Sequence, residues 1–209
     1  MPKADFFQRL GLYAVNQFLD AEACGELREA VRAGSWRAGT VGNLDDLSFS
    51  VDSSVRSVKW VTVGDTMVSR VRERLLSLKP AVESHYQMAL TDCEALQFLA
   101  YGAGDHYRPH RDHYDVQRDG VSDQTAAAWK VRRISAVIFL NNQSERAAPN
   151  HYGGGALTFY DFFDDPSGKS LGIPLDADEG LLVTFPAGML HGVTPVTHGE
   201  RYTIATWFF

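Results

Sequence analysis

The sequence predicts an α+β protein, mainly β, in which an N-terminal helical layer packs on a double-sheet β-fold. Two observations lead to this prediction. In the first 90 residues, apolar side chains recur twice at a helical period. From Glu94 onward, short β-prone runs alternate with stretches rich in Gly, Asn, Asp and Pro. Many short strands with turns between them are typical of a sandwich or a barrel.

Caps and apolar spacing predict the two helices. Asp20 can cap a helix that ends at Gly34, because a short polar side chain satisfies the first free amide groups and glycine tolerates the helix end. Asp65 can cap a second helix. Pro80 is expected to kink or interrupt that helix, because proline removes a backbone hydrogen bond.

The β-prone runs define the second part of the chain, and one further possible strand lies between the helices. The runs are residues 95–101, 105–112, 132–140, 156–161, 180–185, 192–196 and 201–208, and the possible strand is 55–63. Nothing in the composition suggests a linker. We therefore expect a single domain over residues 1–209, with 1–90 as mostly helical support and 91–209 as the β core. The polar segment 113–131 is long enough to be a functional lid.

Composition and charge narrow the class of protein. A net charge of -6 argues against a nucleic-acid partner bound through a broad basic face. No run of 18 apolar residues is present, so no membrane span is expected. The N-terminus lacks the features of a secretory signal, and Cys24 and Cys93 are too few for a disulfide scaffold. We expect a cytoplasmic protein with buried free thiols.

Two overlapping His-x-Asp units occur in the stretch PHRDHYD, residues 109–115. One is His110 with Asp112, and the other is His113 with Asp115. In a strand, residues i and i+2 point to the same face, so either unit could direct an imidazole and a carboxylate at one ion. Two histidines and one carboxylate are typical of non-haem Fe(II) oxygenases. For an isolated His-x-Asp pair, a polar cluster on the surface at a strand end is the more common interpretation.

A distal histidine and a basic residue lie near the C-terminus. His191 follows a turn and leads into an apolar run. Arg201 opens the last predicted strand, on which Arg201, Thr203, Ala205 and Trp207 share one face. If this face lines a barrel, Arg201 is a buried cation that needs an anionic partner. A carboxylate suits the planar guanidinium.

Taken together, these motifs resemble those of Fe(II)/2-oxoglutarate-dependent dioxygenases of the prolyl 4-hydroxylase type. The resemblance covers most of the chain and implies a double-stranded β-helix, or jelly roll. The stretches that carry it are VNQFLDAEACGELREAV, the Tyr-x-x-Gly-x-x-Tyr-x-x-His-x-Asp run at residues 101–112, RRISAVIFLNN, GGGALTFYD and RYTIATWF.

The resemblance also selects one His-x-Asp unit. In this family, tyrosines stand nine and three residues before the ligand histidine, and only His110 meets both spacings. The implied Fe(II) ligands are therefore His110, Asp112 and His191. His113 and Asp115 have the opposite parity and are expected to lie at the mouth of the site.

The same resemblance implies a 2-oxoglutarate site. Arg201 is expected to bind the distal carboxylate of this cosubstrate, with Tyr101 and Thr203 as further contacts. Close relatives often have a tyrosine where this chain has Phe139, so a hydroxyl that can hold that carboxylate is missing here. Four residues are candidates for substrate contacts, although each also fits a packing or surface role: Tyr107, Arg111, Arg56 and Trp207.

The expected reaction is hydroxylation of an unactivated C–H bond, coupled to decarboxylation of 2-oxoglutarate to succinate and CO2. Fe(II), 2-oxoglutarate and O2 are needed, with ascorbate as a reductant in vitro. The resemblance favours a prolyl residue in a peptide or protein as substrate. A free amino acid or other small molecule remains an alternative, and so do a non-redox cupin-type enzyme and a peptide-binding module without catalysis. Arg201 argues against the cupin-type enzyme, and the intact ligand set argues against the binding module.

Overall fold

The computed structural model describes residues 7, 9–43, 48–113, 132–162 and 171–209. Within these ranges it contains two long helices and seventeen strands. The elements of the first part are β1 (Tyr13–Val15), α1 (Ala21–Ala33), β2 (Trp36–Ala38), β3 (Val41–Gly42), β4 (Phe49–Ser50), β5 (Arg56–Ser57), β6 (Lys59–Val61) and α2 (Asp65–Tyr86).

The second part consists of strands. In chain order these are β7 (Gln97–Tyr101), β8 (His106–His110), β9 (Ile134–Phe139), β10 (Asn142–Gln143), β11 (His151–Gly154), β12 (Leu157–Phe159), β13 (Ile173–Leu175), β14 (Leu182–Pro186), β15 (His191–Val193), β16 (Val196–His198) and β17 (Arg201–Phe208).

The first helix matches the prediction from its caps. The Asp20 side chain accepts a hydrogen bond from the Ala23 amide at 2.8 Å, and Gly34 follows the last helical residue. The second helix differs in two respects. It begins at Asp65, with Gly64 in the capping position, and it continues past Pro80 to Tyr86. The prediction that Pro80 interrupts the helix is therefore wrong.

Packing explains why α2 continues through Pro80. Val71 and Leu75 are buried before the proline, and Val82 is buried after it, all in one apolar cluster with the large sheet. Burying a side chain of this kind contributes about 1.5–3 kcal/mol, so the contacts on both sides offset the hydrogen bond that the proline removes.

Two sheets face each other and form a double-stranded β-helix. The larger has the order β1-β14-β9-β17-β7-β6-β2, and the smaller has the order β13-β12-β15-β8-β5. Side chains from both meet between them, as in the edge-to-face contact of Phe159 with Phe185 at 5.0 Å. The helices cover the other face of the larger sheet, so the predicted helical layer on a double-sheet fold is confirmed.

Strand alternation divides the residues of β17 between these two environments. Tyr202, Ile204 and Phe208 pack towards the helices. The opposite face consists of Arg201, Thr203, Ala205 and Trp207, and all four line the cavity between the sheets. The face of β17 that was predicted to line the interior of the fold is therefore the one that lines the cavity.

The first 90 residues also contribute strands that the sequence did not reveal. β1 pairs with β14, β6 and β2 extend the larger sheet beyond β7, and β5 pairs with β8 in the smaller sheet. The predicted strand at 55–63 is thus two short strands in different sheets. Strands of two or three residues are too short for an alternating pattern to be recognised.

Three further expectations concern the state of the cysteines, the absence of a membrane-spanning segment and the predicted lid. Cys24 and Cys93 are buried and free, as predicted. Across the described ranges, neither helix combines the length and apolarity that a membrane span requires. The predicted lid at 113–131 lies outside the described residues, except for His113.

Replacing Leu75 with alanine is expected to destabilise the protein by about 2–5 kcal/mol, because Leu75 is fully buried between α2 and the larger sheet. Denaturant-induced unfolding measures this loss. Ser77→Ala on the exposed side of the same helix is the control and should change the free energy of unfolding by less than about 0.5 kcal/mol. Equal effects of the two substitutions would contradict the burial of Leu75 between α2 and the larger sheet.

Candidate active site

Three side chains with metal-ligating atoms meet between the two sheets. His110 ends β8, and His191 begins β15 directly opposite it in the antiparallel pair. Asp112 follows β8. One ligand atom from each residue lies within 4.8 Å of the other two. The Nε2 atoms of His191 and His110 lie 3.4 and 3.7 Å from the two carboxylate oxygens of Asp112.

Backbone carbonyls orient both imidazoles. The Nδ1 atom of His110 lies 2.9 Å from the Arg108 carbonyl oxygen, and the Nδ1 atom of His191 lies 2.9 Å from that of Met189. A carbonyl only accepts hydrogen bonds, so each Nδ1 carries the proton and each Nε2 has a free lone pair. This is the tautomer that a metal ligand requires.

The protonation states also suit a metal. Burial lowers the pKa of His110 to about 3, and His191 acts in the same direction while Asp112 opposes it. Burial alone would raise the pKa of Asp112, but the two imidazoles and a hydrogen bond from Trp207 outweigh it and lower the pKa. At neutral pH the site therefore has a neutral His110 and an ionised Asp112, as binding of a divalent cation requires.

Further side chains hold the three candidate ligands in place. The Ser135 hydroxyl on β9 donates a hydrogen bond to Asp112 Oδ2 at 2.7 Å. The Tyr107 ring stacks on the His110 ring at 3.6 Å, and the Phe185 ring meets the His191 ring edge-on at 4.6 Å. Sequence reasoning missed Ser135. The sequence feature that could have revealed it is a hydroxyl-bearing residue in the otherwise apolar run ISAVIF, at a position that faces the interior.

Replacing Ser135 with alanine is expected to weaken metal binding by about 10–100-fold, because Asp112 loses the hydrogen bond that orients it. Competition with a chelator under anaerobic conditions measures the Fe(II) affinity. Ser57→Ala is the matched control, since it removes a hydroxyl bonded to another carboxylate, that of Asp105. If Ser135→Ala binds Fe(II) as tightly as the control, the orienting role is wrong.

A cavity of about 780 Å³ extends from the histidines between the sheets, and Arg201 lies in its wall. Arg201 is only 1% exposed, yet it forms no ion pair with a carboxylate of the described residues. Its guanidinium donates to the Thr203 hydroxyl at 3.2 Å and lies over the rings of Tyr101 and Phe139. An uncompensated buried cation of this kind favours an anionic ligand.

Tyr152 is a second residue that sequence reasoning missed. Its side chain is fully buried beside Arg201. Burial raises the pKa of Tyr152, although the charge of Arg201 lowers it. Within the described part of the chain, the Nε atom of Arg201 meets no partner at hydrogen-bonding geometry, and the Tyr152 hydroxyl approaches the Arg201 guanidinium without reaching that geometry. A hydroxyl is therefore present near Arg201, although Phe139 lacks one.

Gly155 makes the approach of these two side chains possible. It has a φ of +58°, and a Cβ atom there would lie 3.1 Å from Arg201 Cδ and 3.3 Å from Tyr152 Cδ2. Both the backbone conformation and the crowding favour glycine. Gly154, the middle glycine of the GGG stretch, also has a positive φ.

The candidate substrate residues all line the cavity, in different environments. Tyr107 and Trp207 present rings to it, and Arg111 is paired with Asp161 at 2.6 Å. Arg56 is not a surface residue, because it is only 9% exposed. His113 contacts the Arg132 carbonyl oxygen and is not part of the ligand cluster, whereas Asp115 lies outside the described residues.

A sequence model of the 2OG-Fe(II) oxygenase superfamily matches residues 96–209, which include all three candidate ligands and Arg201. The chain belongs to this superfamily. The oxygenase therefore depends on Fe(II), 2-oxoglutarate and O2, and its His-Asp-His cluster fits the iron.

Other known proteins are similar over most of their length. A PKHD-type hydroxylase of Klebsiella pneumoniae (strain 342) is 27% identical over 199 residues, which cover 94% of this chain and 77% of the relative. A Pseudomonas putida prolyl-4-hydroxylase structure matches with a TM-score of 0.64 and 22% identity, covering 98% of this chain and 95% of the other.

A Trichoplax adhaerens prolyl hydroxylase, solved in complex with a peptide fragment of the hypoxia inducible factor oxygen degradation domain, has a TM-score of 0.61. It is 18% identical, and the match covers 99% of this chain and 86% of the other. At these identities the solved structures show a shared fold, the double-stranded β-helix.

Proposed function

We propose that the oxygenase hydroxylates an unactivated C–H bond and couples this to oxidative decarboxylation of 2-oxoglutarate to succinate and CO2. One observation carries the proposal. A cluster of two histidines and Asp112 adjoins a cavity whose wall also contains a buried guanidinium, Arg201, without an ion-pair partner in the described residues. A metal site and a separate cation in one cavity suit a dicarboxylate that chelates iron at one end.

Within this proposal, the residues have distinct roles. His110, Asp112 and His191 hold Fe(II), and Arg201 binds the distal carboxylate of 2-oxoglutarate. Thr203 and Tyr101 lie against Arg201 and orient it, and the Tyr152 hydroxyl lies beside it.

Bound Fe(II), 2-oxoglutarate and O2 together supply the oxidant that attacks the substrate. The chain itself contributes ligation, orientation and exclusion of water. Apolar side chains from both sheets, Leu157, Val137 and Phe185, line the cavity around the ligands. They suit a site that must protect a reactive oxidant from the solvent.

For the substrate, we propose a prolyl residue in a peptide or protein. The support is the similarity to PKHD-type and prolyl hydroxylases, one of which was solved with a peptide. The alternative is a free amino acid or other small molecule, and the buried cation Arg56 in the cavity wall favours it. A non-redox cupin-type enzyme would have no use for Arg201.

We also propose that residues 1–209 act as one domain, since helices and strands share one apolar cluster.

Mass spectrometry tests the substrate proposal. Proline-containing peptides and free proline are incubated with the enzyme, Fe(II), 2-oxoglutarate and ascorbate, with Asp112→Ala as the inactive control. We expect the mass gain of one oxygen atom on the prolyl residue of a peptide. Turnover of free proline without any peptide product would replace the peptide substrate by the alternative.

A further inference from the structure

The cavity concentrates positive charge in an acidic protein. Among the described residues, its wall contains five arginines and two carboxylates, those of Glu94 and Asp112, although the chain has a net charge of -6. The arginines are Arg37, Arg56, Arg111, Arg132 and Arg201. A bound divalent metal would add further positive charge. The cavity therefore favours anionic ligands.

Ion pairs compensate two of these arginines. Arg132 binds Glu94 through two hydrogen bonds of 2.7 and 2.8 Å, and Arg111 binds Asp161. Arg37 is exposed and lies over the Trp60 ring, so water solvates it. Arg201 is assigned to the cosubstrate in the proposed function. This leaves Arg56.

Arg56 is a buried cation with neutral partners. It is 9% exposed, and its hydrogen bonds within the described residues go to the Thr40 carbonyl oxygen at 3.0 Å and the Gln97 amide oxygen at 3.3 Å. A guanidinium has five N–H donors, so most of them have no partner among the described residues. Its charge is not neutralised by any carboxylate of the described residues. Burial of such a cation is costly unless an anion joins it.

The position of Arg56 relates it to the metal ligands. Its guanidinium lies over the Tyr107 ring, 4.7 Å from the ring centre, and the His110 ring stacks on the same tyrosine at 3.6 Å. Backbone pairing of β5 with β8 fixes this arrangement. The cation and a candidate iron ligand therefore both contact one aromatic ring, that of Tyr107. An anion bound to Arg56 would belong to the reacting residue or to its immediate neighbour.

We propose that Arg56 binds a carboxylate of the substrate, so that the cavity selects an anionic substrate. The carboxylate belongs either to the reacting residue itself, as in a free or C-terminal amino acid, or to an acidic residue next to it in a peptide. The inference rests on the proposed function for the assignment of Arg201 to the cosubstrate. Charge-assisted bonds of a guanidinium to a carboxylate supply both affinity and orientation.

Matched pairs of probes test the preference for a carboxylate. Zn(II)-substituted protein saturated with 2-oxoglutarate does not turn over, so the dissociation constants can be measured by ligand-observed NMR. One pair is N-acetyl-L-proline and N-acetyl-L-prolinamide. The other is acetyl-Pro-Asp-amide and acetyl-Pro-Asn-amide. In at least one pair, the acid should bind about tenfold or more tightly than its neutral partner.

The pair that shows the preference identifies the source of the carboxylate. The first pair indicates the reacting residue, and the second indicates an acidic neighbour. Equal dissociation constants within both pairs, or no detectable binding in either, would overturn the proposal.

Substitutions assign the preference to Arg56. Arg56→Gln should remove the preference for the acid while 2-oxoglutarate affinity remains within about threefold. Arg56→Lys keeps the charge but not the planar donor group and should retain part of the preference. Arg70→Gln, on the exposed side of α2, removes the same charge far from the cavity and should change nothing. A preference for the acid that is undiminished in Arg56→Gln would overturn the assignment.

Failure of this proposal and failure of the proposed function have different results. Absence of 2-oxoglutarate binding in the unaltered protein contradicts the proposed function, whatever the probes show. A preference for acids that Arg56→Gln abolishes supports the carboxylate site even then. Normal 2-oxoglutarate binding without any preference for acids contradicts only the role of Arg56.

Discussion

Asp112→Ala is expected to abolish turnover and to weaken Fe(II) binding by more than about 100-fold. Asp112 is the single carboxylate of the candidate ligand cluster in the described residues, and its two oxygens face the Nε2 atoms of His110 and His191. Without it, two neutral imidazoles remain, and they offer a divalent cation no compensating charge. Anaerobic Fe(II) titration and succinate formation measure the two effects.

The second His-x-Asp unit provides the control. Asp115→Ala and His113→Ala should retain most of the activity, because their parity in the sequence is opposite to that of the proposed ligands. His113 contacts a backbone carbonyl oxygen away from the cluster, while Asp115 lies outside the described residues. An inactive Asp115→Ala together with an active Asp112→Ala would show that the ligand assignment is wrong.

Arg201→Ala is expected to raise the KM for 2-oxoglutarate steeply. Loss of a buried charge-assisted contact costs about 2–5 kcal/mol, which corresponds to a factor of roughly 30 to several thousand. The structure offers Arg201 no alternative anion within the described residues, so the effect should fall on the cosubstrate. Steady-state kinetics gives the KM, and 2-oxoglutarate binding to the Zn(II) form gives the affinity directly.

Two smaller changes serve as controls for this prediction. Tyr152→Phe should weaken 2-oxoglutarate binding by only a few-fold, since a neutral hydrogen bond contributes about 0.5–1.5 kcal/mol. Phe139→Tyr should strengthen it by a similar amount if the added hydroxyl reaches the carboxylate. An unchanged KM in Arg201→Ala would remove Arg201 from the cosubstrate site.

The elements that the sequence predicted well have a strong periodic pattern. α1 lies between the predicted caps, and β17 coincides with the predicted run at 201–208. Alternation along β17 correctly placed Arg201 on the inward face, since a period of two in an eight-residue strand is unambiguous. The predicted run at 192–196, in contrast, is divided between β15 and β16.

The parts that the sequence did not reveal depend on tertiary contacts. Parity placed His110 and Asp112 on one face, but only the pairing of β15 with β8 brings His191 to them. Ser135, Tyr152 and the burial of Arg56 follow from packing between distant segments, which no local pattern records. Helix propensity likewise misjudged Pro80, because contacts with the larger sheet outweigh the local cost.

In the proposed mechanism, the His-Asp-His cluster and Arg201 together support iron-dependent decarboxylation of 2-oxoglutarate. Formation of succinate from 2-oxoglutarate tests this mechanism most directly. It is measured in the presence of a substrate that the enzyme hydroxylates, and Fe(II) or O2 is omitted in turn. Succinate is expected only when both are present, and none is expected with Asp112→Ala. Succinate formed without Fe(II) or without O2, or an active Asp112→Ala variant, would contradict it.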